Sequence, residues 1–147
     1  MSEPYVPPYS VDSGTPGPSA APQAPPLLSM SAKDERMWAM FCHLSSLSMY
    51  IGIPFGNILG PVVIWMMHRD KSALIDDQGK EVVNFQLTMT IAFACAVVLA
   101  VSVIGLVVAI PVFAALPVIQ ILFTVLGAMK ANEGVTFRYP LTIRFIK

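Results

Sequence analysis

Charge is scarce in this chain, cysteine scarcer still, and recognisable catalytic motifs are missing. Lys, Arg, Asp and Glu make up 12% of 147 residues, against 55% hydrophobic, where a soluble domain carries roughly a quarter charged residues. The two cysteines, Cys42 and Cys95, stand alone in apolar stretches, and the only histidines are His43 and His68. Without CxxC or metal-ligand spacing, neither a disulfide framework nor a zinc site is expected, and the cysteines are read as packing residues. There is no GxSxG, no phosphate-cradling glycine loop and no HExxH, the patterns that place a nucleophile, a nucleotide or a catalytic zinc. The chain is therefore expected to be no enzyme, to use no cofactor and to bind no nucleic acid.

What the sequence does contain is two long uncharged runs. Met37 to Met67 covers 31 positions and Val82 to Met129 covers 48, without one Lys, Arg, Asp or Glu. Roughly 20 apolar residues cross a hydrocarbon core about 30 Å thick, so the second run has length for two helices. A soluble helix needs a polar face, which neither run supplies. The chain is read as an all-α integral membrane protein, with the lipid bilayer as its first partner.

The first 30 residues differ in kind. They hold eight of the thirteen prolines and no Lys or Arg, and proline removes a backbone donor while fixing φ, so a disordered or polyproline tail is expected over 1–32. The segment has no basic stretch followed by an apolar one, the pattern of a secretory signal.

The helical domain is expected over 33–147, with helices near 34–53, 56–68, 77–104 and 107–130. In YIGIPFGNILGP, Pro54 breaks the helical ladder and Gly52, Gly56 and Asn57 tolerate tight turns. A hairpin there leaves arms of 17 and 13 residues, about 26 Å and 20 Å long, short for full spans. The rival is one long kinked helix, in which Gly52, Gly56 and Gly60 form a small-xxx-small packing row. Charge distribution favours the hairpin. With two hairpins, all nine basic residues, Lys33, Arg36, Arg69, Lys71, Lys80, Lys130, Arg138, Arg144 and Lys147, fall on one side, as cytoplasmic segments require; with three passes, Lys33 and Arg36 change sides. Trp38 and Trp65 then share one interfacial belt. The expected architecture is a four-helix bundle of two hairpins, the first short and broken near Pro54, with both termini cytoplasmic.

Between the runs, HRDKSALIDDQGKEVVNFQ concentrates seven of the eighteen charged residues and is read as the cytoplasmic connector. Asp76 and Asp77 suit the positive end of a helix dipole. Glu81, Asn84 and Thr88 then follow on one helical face, expected to point at other helices because a charge facing hydrocarbon is costly. His43, with Ser46 and Tyr50, and Gln120, with Thr124, are the other polar positions inside the runs. They are read first as interhelical glue and second as the lining of a narrow polar path.

The ending VTFRYPLTIRFIK alternates with period two, placing Phe137, Tyr139 and Phe145 opposite Arg138 and Arg144. Pro140 cannot donate to a central ladder, so an extended amphipathic segment over 135–147 is expected at the membrane interface, its aromatics among headgroups and its arginines on anionic lipid.

Three stretches, KDERMWAMFCHLSSL, GNILGPVVIWMMHRDKSALIDDQGKEVVNFQ and FRYPLTIRFI, resemble domain-of-unknown-function family 4870, small bacterial membrane proteins distantly similar to the Tic-type subunit of the chloroplast inner-envelope translocon. The resemblance covers about Lys33 to Lys147. It implies a helical membrane bundle and brings no catalytic residue. Two function classes follow: a non-enzymatic accessory or interaction component, with translocon-like character, that binds an unknown membrane protein or a second copy of itself; and a small oligomeric channel or transporter built around Asn84, Gln120 and His43.

Overall fold

The structure, a computed structural model, describes residues 30–147; nearly all of the expected disordered tail lies outside the described residues. Four helices follow in order, α1 (Ala32–Leu44), α2 (Gly56–His68), α3 (Ala73–Ala100) and α4 (Val103–Asn132). Among the described residues no strand forms.

Each start has a local cause. Ser31 caps α1 by accepting the Asp34 N–H, with Asp34 and Glu35 in the first turn. Ser72 and Ser102 do the same for α3 and α4, accepting from Ile75 and Gly105. A serine oxygen satisfies an amide that the helix itself cannot. Ser72 thus starts α3 ahead of the Asp76–Asp77 pair. Ser102 puts the second hairpin's turn at Val101–Ser102, leaving Gly105 inside the first turn of α4.

The first hairpin forms as Pro54 implies. Past Leu44 the chain tightens into a 3₁₀ segment, Ser45–Ile51, where Ser45 and Ser46 hydroxyls bond back to the Cys42 and His43 carbonyls, a pairing that bends helices. Gly52 at φ 90° ends the arm, and Phe55, at φ 56°, leads into α2. The glycine row divides its labour. Gly52 supplies the left-handed turn, while a Cβ on Gly60 would sit 2.7 Å from the Ser45 carbonyl oxygen, so Gly60 permits the two arms to touch.

The core is lopsided. Ala39, Cys42, Ile75, Val82, Phe85, Ala131 and Tyr139 are buried together, all toward the end where the helices meet the charged connector and the tail. At the opposite end Val98, Val101, Val103, Ile104 and Val107 are exposed and apolar. Two helices, α3 with 28 residues and α4 with 30, are long and apolar enough to cross a membrane, where four passes were expected. The molecule is an all-helical membrane protein.

Candidate functional site

The polar residues of the interior converge on one seam, along the face of α3 that carries Gln78, Glu81, Asn84 and Thr88. Spacings of three and four residues stack these side chains in a row. The C-terminal segment 135–147 lies against that row, so the face meets not only helices but the chain's own tail. The tail is extended yet joins no sheet; side chains of α3 take the place of a neighbouring strand.

The pairing proceeds residue by residue. Gln78 brackets Phe137, accepting its N–H at 3.1 Å and donating to its carbonyl at 3.4 Å. Glu81 accepts the Tyr139 N–H at 2.9 Å. Thr88 accepts the Ile143 N–H at 3.0 Å while donating to the Asn84 carbonyl. Asn84 accepts from Phe145 and Ile146 and donates to the Ile146 carbonyl. Buried main-chain groups need partners, and here side chains supply them.

Charge reinforces the row. Glu81 is 3% exposed, and a carboxylate so placed requires a cation and hydrogen bonds. Arg144 donates to both its oxygens, at 3.1 and 3.2 Å, and Arg138 lies 3.7 Å away while making a two-pronged pair with Asp77. The hydrogen bonds and charge of Asp77 raise the Arg138 guanidinium further above its ordinary range. Both arginines expected on lipid headgroups therefore face protein carboxylates.

His43, fully buried on α1, joins the seam from the other side. Its Nε2 lies 3.2 Å from Gln78 Oε1, and its Nδ1 lies 2.6 Å from the Tyr139 hydroxyl. The orientation of Gln78 is fixed by Phe137, so Oε1 is an acceptor; Nε2 of the histidine must then carry the proton, and the tyrosine hydroxyl must donate to Nδ1. Burial pushes the Tyr139 phenol up, which keeps it in the donor form. The same ring stacks on Phe85, centroids 4.0 Å apart. Of the tail aromatics, Tyr139 enters the core, Phe137 is half-buried and Phe145 is exposed.

A second cluster lies deeper. Gln120 donates to Gln86 Oε1 at 2.7 Å and accepts from the Tyr50 hydroxyl at 3.2 Å, while Thr124 meets Ser46 at 3.5 Å. Beside it a cleft of about 490 Å³ opens between Tyr50, Phe55, Asn57, Phe93, Leu116 and Gln120. Trp38 stacks on His68 at 4.2 Å, and Trp65 donates to Asp76 at 2.9 Å.

Gln78 and Gln86 are the functional residues that sequence reasoning missed. Gln78 continues the Glu81 row by one turn toward the N-terminus, a signal present in the spacing of the helix expected from 77. Among the described residues no three His, Cys, Asp or Glu side chains gather as a metal site.

Seam and fold together define a small helical membrane protein whose C-terminal segment is bound into its own bundle. The chain belongs to the MamF/MmsF family, the magnetosome magnetite crystal formation protein family, which matches residues 34–146. This overturns the assignment to domain-of-unknown-function family 4870 and the likeness to a Tic-type translocon subunit. The stretches that carried that resemblance form α1, then α2 with the connector and the polar start of α3, then the docked tail. No curated protein and no solved structure matches the chain.

Proposed function

We propose that the protein is a non-enzymatic accessory component of the magnetosome membrane that acts in magnetite crystal formation. One observation carries the reading: the family match runs from the first turn of α1 to the last anchored residue of the tail, so it takes in all four helices and the docked segment. The interior polar groups support a scaffold over a pore, because Gln120 closes on Gln86 and Tyr50, and His43 closes on Gln78 and Tyr139. Groups so paired present little to a passing ion.

Both termini lie in the cytoplasm in this reading. Arg36 lies beside Gly134, Arg69 stands over the Trp65 ring, and Arg138 and Arg144 bind the α3 carboxylates. These basic residues come from α1, the α2–α3 connector and the tail, which in this reading make up the cytoplasmic end, in line with the positive-inside rule. The exposed loop around Asp70 and Lys71 and that cytoplasmic face are offered to a membrane-protein partner or a second copy.

The test is deletion of the gene in a magnetosome-forming bacterium, followed by complementation. The expected result is altered crystals in vesicles that still form, restored by the wild-type chain. Selective ion flux through liposomes holding the purified protein, lost in His43→Ala, would replace this reading with the channel.

A further inference from the structure

The two hairpins are unequal in depth. From Gly79, on which the Trp65 ring packs, α3 runs 21 residues to Ala100, about 32 Å at 1.5 Å per residue. That is the thickness of a hydrocarbon core, about 30 Å. The first hairpin stops short of it. Its end is marked by two cross-contacts, Tyr50 to Gln120 and Asn57 to Thr90. The turn reaches further still, since Phe55 lines the same cleft as Phe93; Phe93 is seven residues from Ala100, so α3 continues about 10 Å beyond the turn of the first hairpin. Only α3 and α4 reach past that level, joined there by the Phe93–Phe113 contact with centroids 5.3 Å apart.

The turn itself is built for hydrocarbon. Ile51, Ile53 and Phe55 are 79%, 50% and 72% exposed, and Gly52 and Pro54 between them bring no polar side chain. Turns in water draw on Asn, Asp and Ser as well as Gly and Pro, and this one has only the last two, set among exposed apolar side chains. Three backbone donors of the turn close locally, Gly52 on Met49, Ile53 on Ser48 and Gly56 on Ile53 at 3.0–3.2 Å, and Pro54 has none to satisfy. Each such pairing lowers the cost of irregular backbone within a bilayer. α2, at 13 residues, is about 20 Å long.

We propose that the first hairpin is re-entrant, entering and leaving from the side of the termini and ending inside the bilayer, and that the protein is thereby a wedge that selects membrane curved convex toward that side. The leaflet nearest the termini contains four helices and the opposite leaflet two. With each helix about 10 Å across, the area displaced differs about twofold between leaflets. A lipid bilayer bent outward around the termini has that same excess of area in its outer leaflet. The partner is the lipid surface itself, distinguished by shape. The inference rests on the membrane reading of the chain and not on its part in crystal formation.

Two measurements decide it. Single cysteines at Ile53 and Ser102, introduced with Cys42→Ala and Cys95→Ala, are probed with a membrane-impermeant maleimide on sealed vesicles of either orientation. Ser102→Cys is expected to react only from the side opposite the termini, and Ile53→Cys from neither side until detergent is added. Reaction of Ile53→Cys from the far side makes the first hairpin a full crossing and overturns the proposal, as does a Ser102→Cys that never reacts. The second measurement uses the otherwise unaltered chain, labelled at its N-terminus, in giant vesicles of phosphatidylcholine and phosphatidylglycerol from which narrow tubes are drawn. With termini outside, several-fold enrichment on the tube relative to the parent vesicle is expected, and with termini inside, depletion. Equal density in both geometries overturns the wedge even if the hairpin is re-entrant.

Discussion

Asn84 and Ile146 bond to each other twice: the side-chain Nδ2 donates to the Ile146 carbonyl at 2.8 Å, and Oδ1 accepts the Ile146 N–H at 2.9 Å. One carboxamide thus does for the tail what a neighbouring strand does in a sheet, and it also accepts from Phe145. A net value of about 1 kcal/mol per bond makes Asn84→Ala cost about 2–3 kcal/mol. The tail should then fray, and proteolysis after Arg144 in detergent should accelerate over wild type. Equal cleavage rates would show that the tail is held elsewhere.

Tyr139 contributes in two separable ways. Tyr139→Phe keeps the stack on Phe85 and removes only the donor to His43, leaving a buried ring nitrogen unpartnered for about 1–3 kcal/mol. Tyr139→Ala also empties an aromatic site, for about 3–5 kcal/mol. Thermal unfolding in micelles should rank wild type above Tyr139→Phe and Tyr139→Ala last. A Tyr139→Phe variant as stable as wild type would remove the histidine bond from the account.

The two arginines of the tail should differ. Asp77 and Arg138 are a half-exposed pair, of a kind that contributes up to about 1 kcal/mol. Arg144 instead serves a carboxylate that has almost no solvent, and its loss leaves that charge short of partners. Arg144→Ala is expected to lower the unfolding temperature more than Arg138→Ala, and Glu81→Gln should recover part of the loss. The opposite order would place the main electrostatic anchor at Asp77.

Gly79 faces Trp65 so closely that a Cβ would overlap the indole. Gly79→Ala gains roughly 1 kcal/mol of helix propensity, yet overpacking costs about 1–3 kcal/mol. The tryptophan should swing off Asp76, seen as a red shift in fluorescence. An unshifted spectrum with a raised unfolding temperature would mean that the indole yields without loss.

Much of this architecture is legible before the structure. The uncharged runs announce membrane helices, Pro54 with Gly52 announces a break, and the spacing of Glu81, Asn84 and Thr88 places them together. What faces them is not legible. Their partners lie 55 to 63 residues onward, and most are backbone amides, which are identical in every residue and leave no pattern. The period-two ending was readable as extended chain, but alternation cannot say whether Arg138 and Arg144 meet lipid or a carboxylate. The turn at Val101–Ser102 escaped because a lone serine cap is a weaker signal than Gly105. The shortness of the first hairpin's arms was legible from their length, whereas its register against α3 and α4 was not, because that is set by Tyr50 on Gln120 and Asn57 on Thr90.

The seam also has a history within each round of synthesis. Asn84 emerges 62 residues before Ile146, and ribosomes add about 5–20 residues per second, so the polar side of α3 stands bare for about 3–12 s. During that interval the newborn helix carries Glu81, Asn84 and Thr88 without the tail that will pair with them. Whatever receives it must shelter a buried-to-be carboxylate until the last turns of the chain arrive to claim it.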